Sequence, residues 1–345
     1  MIQNNILSNL KIACTSLRIK DKNGNVYHGR TLEYPETPLR TSLTYFPVGH
    51  TFQHRAPDGS LGLKYENKYA IMALTMPQND EERYGCLEGI NSAGLSCSVN
   101  MFRHDGLKNL NPEQYANSVH YEMLGAWGLA NCATVEEVKT LSAQVDFWTP
   151  EIEVLNHLKA PFHFAFYDKF GGSIVIEVSK GELVVYDNPT GVMTNAPELP
   201  WHLTNLNNYS NLTNIDVPSN TIGGVQLTQP DCGIATANIP SSNTSVGRFV
   251  KAFYYSSFAH VVDNPDQQIV ELSHIMNNFD RPIGSNIVMM NIADQPTMIR
   301  EYTIWIALTD LTRGYLYVRT YEQLGYAKYS FDQFSDKTDL YSVYL

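Results

Sequence analysis

Over roughly the first hundred residues apolar and polar positions alternate, and the alternating runs are separated by residues that reverse a chain. "IACTSLRI" and "NVYHGRTLEY" flank "KDKNGN", where Asn23 and Gly24 supply the left-handed positions of a tight turn, so the pattern predicts an antiparallel hairpin. "SLTYFPV" with "KYAIMALTM", and the two halves of "EGINSAGLSCSVNMF" about "NSAG", predict further strand pairs. A helical pattern follows in "NPEQYANSVHYEMLGAWGLANCATVEEVKTLSAQVDFW": Asn111 before Pro112 and Glu113 marks its start, and a break falls around Asn131. Residues 162–186 return to β-branched and aromatic residues between "KFGG" and "SKGE" turns. "VMTNAPELPWHLTNLNNYSNLTNIDVPSN" sustains no period and predicts a folded loop wall. "SVGRFVKAFYYSSFAHVV" and "PDQQIVELSHIMNNF" predict helices, and "EYTIWIALTDLTRGYLYVRTY" a closing strand pair about "TRG".

Strands and helices thus come in groups, without regular βαβ alternation, which favours an α+β fold of antiparallel sheets covered by helices. No Pro/Gly/Ser linker divides the chain and no period recurs, so a single domain is expected.

Composition narrows the partners. The 345 residues are 43% apolar and 17% charged, enough for a large core under a mostly uncharged polar surface. A formal charge of -11 opposes nucleic acid and anionic membranes, both of which need a basic footprint. No window reaches the roughly eighteen apolar residues of a spanning helix. "MIQNNILSNLKIA" lacks a basic region followed by a continuous apolar one, which predicts a cytoplasmic chain; a periplasmic one needs an export route that this leader does not show. The five cysteines, Cys14, Cys86, Cys97, Cys132 and Cys232, are odd in number and scattered, so neither a disulfide framework nor a structural zinc site is expected. Taken singly, each reads as a buried small hydrophobe.

Cys14 differs in its neighbour. The predicted hairpin puts it at the beginning of one strand and Arg30 near the end of the partner, so the turn returns a guanidinium to the thiol, where it can stabilise a thiolate. None of the ten histidines has a spacing that selects it as the base. A cut between Ala13 and Cys14 supplies one: an α-amine of pKa about 7.7–8.0 exchanges a proton readily with a thiol of about 8.5. Glu33, three residues after Arg30, falls on the opposite side of an ideal strand and joins this network only if the chain bends at "TLEY".

"CTSLRIKDKNGNVYHGRTLEY", "EGINSAGLSCSVNMF", "NPTGVMTNAPELPWHLTNLNNY" and "SVGRFVKAF", in that order, resemble the choloylglycine hydrolase and penicillin V acylase family of N-terminal-nucleophile hydrolases. "NNFDRPIG" and "YTIWIALTDL" extend the similarity toward the C-terminus, and "GRTLE" is similar to the branch common in Gram-negative bacteria. The resemblance implies an αββα sandwich, one catalytic domain over residues 14–345 behind a leader of residues 1–13, no metal or cofactor, and assembly as a homotetramer. It makes Cys14 the nucleophile and Arg30 the group that lowers its pKa. Glu33 stands where the family usually has an aspartate that holds the new α-amine. Asn195 becomes the oxyanion donor, Asn100 a second donor through its amide or backbone, and Arg248 a residue that steadies the network.

Because Cys14 is not residue 2, the leader must be removed, with attack of the Cys14 thiol on the Ala13 carbonyl as the expected route. The loop "GIATANIPSSNTSVGR" departs from the family's Gly-Leu-Pro-Gly-Asp type, which alters a pocket wall. Phe46, Phe102, Trp201 and Leu203 can form an apolar wall suited to a phenoxyacetyl group, a steroid acid or a fatty chain. The expected reaction is hydrolysis of a linear amide in a small apolar N-acyl substrate: a bile salt, penicillin V or an acyl-homoserine lactone. The alternatives are an N-acylethanolamine or ceramide-type acid amidase and, outside the enzymes, an unprocessed small-molecule binding protein.

Overall fold

The chain enters its first sheet at Cys14. A computed structural model describes residues 12–36, 41–76, 85–152, 158–292 and 295–345; of the expected leader, all but Ile12 and Ala13 lies outside these residues. The hairpin about Asn23 and Gly24 forms β1 (Cys14–Lys20) and β2 (Val26–Pro35). Seven strands of a second sheet follow: β3 (Ser42–Phe46), β4 (Ile71–Met76), β5 (Gly85–Asn91), β6 (Leu95–Met101), β7 (Phe162–Asp168), β8 (Ser173–Ser179) and β9 (Glu182–Asp187). The chain then returns to the first sheet with β10 (Asn286–Ile292), β11 (Gln295–Asp310), β12 (Tyr315–Thr320) and β13 (Ala327–Ser330), and closes on the second with β14 (Tyr341–Tyr344). The first sheet runs β1-β2-β11-β12-β13 with β10 on β11, the second β9-β8-β7-β6-β5-β4-β3-β14. Every neighbouring pair in both is antiparallel.

Alternation along each strand divides the core into three. Tyr27 and Leu308 of the first sheet pack with Phe249, Ala252, Leu272 and Met276 from α4 (Ser245–Phe258) and α5 (Pro265–Met276), numbered after three earlier helices: α1 (Leu124–Asn131), α2 (Val135–Ser142) and α3 (Leu199–Asn205). Cys97, Phe164 and Phe166 of the second sheet pack under α1 and α2 through Leu124, Leu129 and Val138. Between the sheets lie Leu32, Met72, Leu74, Ile90, Trp305 and Val318, together with Cys14. The layers are therefore helix, sheet, sheet, helix, the αββα sandwich that the resemblance implied.

Two segments differ from the expected elements. Residues 112–123 begin as the cap pattern predicts, with the Gln114 side chain accepting from the Asn111 N–H at 3.0 Å, yet they form short 3-10 turns around the strand Ser118–His120. That strand pairs in parallel with Asp146–Trp148, at the other end of the expected helical stretch, so a tertiary pairing overrides the helical start. The break at Asn131 lies between α1 and α2. The expected loop wall contains α3, whose two turns are too few to display a period; Pro200 stands in its first turn and Leu199 and His202 are its buried face. No helix among the described residues is long and apolar enough to cross a membrane.

The "NSAG" turn ties the sheets together. Gly94 has φ +89°, and a Cβ there would lie 2.7 Å from the Leu311 carbonyl oxygen and 2.8 Å from Lys169 Cδ, whereas Gly24, at φ +84°, has nothing within 4 Å. Gly24→Ala meets only the left-handed backbone penalty, and Gly94→Ala adds overpacking against a main chain. Urea unfolding should place Gly94→Ala about 1 kcal/mol or more below Gly24→Ala; equal losses would contradict the close approach.

Candidate active site

In the β1–β2 register Cys14 faces Leu32 and Ser16 faces Arg30, so Arg30 sits diagonally across from the thiol on the face that looks toward the second sheet. Its Nη2 donates to Cys14 Sγ at 3.4 Å and to the Val99 carbonyl at 2.6 Å, and its Nη1 donates to the Leu87 carbonyl. The guanidinium carbon also lies 5.2 Å from the centre of the Trp305 ring. Behind it, Glu88 Oε2 is 3.8 Å from Nη1 and accepts from Ser98 Oγ at 2.5 Å. His28 completes this buried group, with Nδ1 3.2 Å from Glu88 Oε1 and Nε2 3.0 Å from Ser98 Oγ.

Burial dominates the ionisation of these groups. It pushes the Cys14 thiol up in the uncut chain, against the pull of the Arg30 charge and of a main-chain hydrogen bond from Met101. It raises Glu88 to about 8 although Arg30 opposes it, and it lowers His28 to about 3, reinforced by Arg30. At neutral pH Glu88 is therefore mostly protonated and His28 neutral.

A second segment closes the other edge of β1. The Ser16 N–H donates to Met193 O at 2.8 Å and the Met193 N–H to Ser16 O at 3.0 Å, which brings Asn195 alongside Cys14. Asn195 Oδ1 accepts from the Cys14 main-chain N–H at 3.1 Å and from Arg248 Nη2 at 2.6 Å, and Nδ2 donates to Met101 O at 2.8 Å. Donors on one side and a carbonyl on the other fix the amide's orientation and leave one Nδ2 proton uncommitted among the described residues. Arg248 also donates to the Cys14 carbonyl and to Thr15 Oγ1. It reaches the site from the first turn of α4, where the Thr244 hydroxyl caps the Gly247 N–H. Burial lowers Arg248 to about 10 while Glu33 pulls the other way; at neutral pH it remains a cation.

Of the residues singled out from the sequence, Cys14, Arg30, Asn195 and Arg248 meet directly. Asn100 lies one step back: its Nδ2 donates to Thr194 O at 2.8 Å and braces the segment that carries Asn195. Glu33 stays on the helix-facing side of β2, where its carboxylate accepts from Thr303 Oγ1 at 3.1 Å. The local bend lies on the partner strand instead: the β11–β2 register shifts between Thr303 and Trp305. What Glu33 gives the junction is its main-chain N–H, which donates to Ala13 O at 3.0 Å. Burial pushes its carboxyl up, with Arg281 and Arg248 opposing.

The expected apolar wall is dispersed. Phe46 packs on Phe52 and His50 in the core under α1, and Phe102 stacks on His163 with ring centres 4.8 Å apart. Trp201 is 45% exposed on α3, and Leu203 packs against the core beneath α4. Several site residues carried no sequence signal of their own. His202 Nε2 donates to Asn195 O at 3.0 Å and its ring stacks on Phe249, while His163 faces Thr194 O at 3.2 Å and Glu177 at 3.0 Å. For His28 and Glu88 a signal existed: His28 shares a strand face with Arg30, and Glu88 opens "EGINSAG".

Among the described residues no group of three or more His, Cys, Asp or Glu side chains could hold a metal ion. The four described cysteines other than Cys14 are also free thiols, Cys86, Cys97 and Cys132 buried and Cys232 exposed. In comparison with known proteins, the chain is 28% identical over 311 residues to the bile salt hydrolase/transferase of Clostridium perfringens, covering 90% of this chain and 89% of that protein. It is 27% identical to the conjugated bile acid hydrolase of Lactobacillus gasseri, covering 85% and 88%. Its fold matches a crystal structure of a variant conjugated bile acid hydrolase from Clostridium perfringens at TM-score 0.80 and 23% identity, over 96% of this chain and 97% of the other. It also matches penicillin V acylase from Agrobacterium tumefaciens at TM-score 0.72 and 20% identity, over 95% and 90%. The family model of linear amide C–N hydrolases, choloylglycine hydrolase family, matches residues 14–341, and the chain belongs to that family.

Proposed function

We propose that Cys14, exposed as the first residue by loss of residues 1–13, is the nucleophile that hydrolyses a linear amide in an N-acylated small molecule. The observation that carries this is the double placement of Cys14: its Sγ faces Arg30 at 3.4 Å while its main-chain nitrogen faces Asn195 Oδ1 at 3.1 Å. A cut at that nitrogen creates an amine already oriented beside its own thiol. The amine takes the thiol proton, and Arg30 stabilises the thiolate that attacks the amide carbon. The uncommitted Nδ2 proton of Asn195 is available to the developing oxyanion, with Asn100 bracing the same segment. The ammonium then protonates the departing nitrogen, leaving an acyl thioester, and water returns the thiol and releases the acid. Overall, amide and water become carboxylic acid and amine.

The names of the relatives favour an apolar acyl group, and bile-salt amides and penicillin V are the first substrates to test. Processed protein should cleave at least one of them. Cys14→Ala should abolish turnover, and Asn195→Ala should slow it roughly 100- to 1000-fold. Thiol alkylation should abolish activity, and excess chelator should leave it unchanged. Normal turnover by Cys14→Ala, or cleavage of ordinary peptide bonds alone, would require a different enzyme.

Glu88, the acid 3.8 Å behind Arg30, opposes part of the guanidinium's field at the thiolate once it loses its proton. The folded protein raises Glu88 from its ordinary 4.5 to about 8, so between those values it holds a proton that the unfolded chain releases. The associated stability is full below about 4.5 and is lost as pH rises through about 8, at up to about 1.4 kcal/mol per pH unit. Glu88→Gln should remove that slope. Urea midpoints between pH 5 and 8 read it directly, and identical slopes for both proteins would contradict a protonated Glu88.

A further inference from the structure

Both main-chain groups on each side of the Ala13–Cys14 bond are held. On the Cys14 side the partners are Asn195 and Arg248, residues assigned above to turnover. On the Ala13 side, the N–H donates to Glu301 Oε1 at 2.9 Å and the carbonyl accepts from the Glu33 N–H at 3.0 Å. These last two contacts hold a residue that leaves with the leader, so they have no place in the amide chemistry of the processed enzyme.

The Glu301 contact is a built one. The residue is 3% exposed, and a buried carboxylate is costly unless it is paired and hydrogen-bonded. Arg281 Nη1 lies 3.1 Å from its Oε2, and Asn286 Nδ2 donates to the same oxygen, which leaves Oε1 for Ala13. Arg281 is itself fixed, its N–H donating to Thr303 Oγ1 at 2.9 Å and its Nη2 to Asn243 O at 2.7 Å. Glu301 and Thr303 both precede the register shift of β11, and they face Pro35 and Glu33 of β2. The irregularity thus falls just beyond the two residues that point this polar group at the junction.

Resting on leader removal as proposed, we infer that Glu301, braced by Arg281 and Asn286, is a positioning residue for self-cleavage and not for substrate turnover. It fixes the attitude of the Ala13 carbonyl for its own neighbour's thiol. Cys14 Sγ bonds to the Ala13 carbonyl carbon, and the carbon–nitrogen bond to Cys14 breaks. The thiol proton ends on the released nitrogen, and the Glu33 N–H donates to the oxygen that carries the transient charge. Water then splits the thioester, giving Ala13 a carboxylate and Cys14 its free thiol.

The test follows leader loss by intact mass during cell-free synthesis of the full chain as wild type, Glu301→Ala and Glu301→Gln. Turnover is measured on leaderless versions in which an initiator methionine, removed after synthesis, directly precedes Cys14. Glu301→Ala should lose the leader at least tenfold more slowly than wild type. Glu301→Gln, which keeps an acceptor oxygen, should recover most of that rate. Leaderless Glu301→Ala should turn over within about twofold of leaderless wild type, which also shows that the variant folds. Cleavage of full-length Glu301→Ala at the wild-type rate would overturn the inference, as would an equal loss of turnover in its leaderless form. Retention of the leader by wild type itself would instead overturn leader removal.

Discussion

A guanidinium with no exposed surface between two β-sheets must find acceptors for its N–H groups and a use for its charge, and Arg30 sets that condition for the whole interface. The second sheet meets it at the two Nη atoms by interrupting its own ladder, while Nε has no hydrogen-bond partner among the described residues. Pairing of β5 with β6 covers Glu88 with Ser98 through Ile90 with Ser96, and the β4–β5 register slips where Leu87 would pair. Leu87 and Val99, just past the last pair, turn their carbonyls to Arg30. Two strands of one sheet are thus opened to receive a side chain of the other, and the thiol at 3.4 Å is the remaining acceptor.

This arrangement separates charge from its compensation. A permanently ionised carboxylate behind Arg30 would draw the guanidinium's field away from Cys14. Burial keeps Glu88 protonated near neutrality; Ser98 donates to its Oε2, while Oε1, 3.2 Å from His28 Nδ1, has no hydrogen-bond partner among the described residues. On the far side of β1, Arg248 binds the Cys14 carbonyl and Asn195 together, so the sulfur, nitrogen and carbonyl of one residue are each held by a different element.

Much of this was legible in the sequence because it depends on local rules. A tight turn about Asn23 and Gly24 dictates that residues near 14 and 30 meet, and period-two alternation dictates that Glu33 faces away from the thiol, as it does. What escaped depends on distant partners. The strand Ser118–His120 exists because Asp146–Trp148 lies beside it, and α3 is too short to show a period. Glu301 looks like any surface acid in a strand until Arg281 and Ala13 stand beside it, and Glu88, though it opens "EGINSAG", is set apart only by Arg30 and His28 of the first sheet that covers it. Phe46 is apolar and near a matched stretch, yet alternation points it into the helix-covered core, away from Cys14.

The central claim, that the sulfur of Cys14 carries the acyl group in a chain beginning at that residue, is tested most directly by trapping the intermediate. Protein mixed with a slowly hydrolysed N-acyl amide is quenched in acid and then digested with trypsin in mildly acidic buffer, where the enzyme still cleaves and the α-amine stays protonated, and the peptide of residues 14–18, "CTSLR", is sequenced by mass spectrometry. The predicted result is a free-standing N-terminal peptide whose mass is raised by the acyl group, with the adduct lost on treatment with hydroxylamine as a thioester is. An acyl group on another residue, or turnover by protein in which this peptide is still joined to Ala13, would contradict the account.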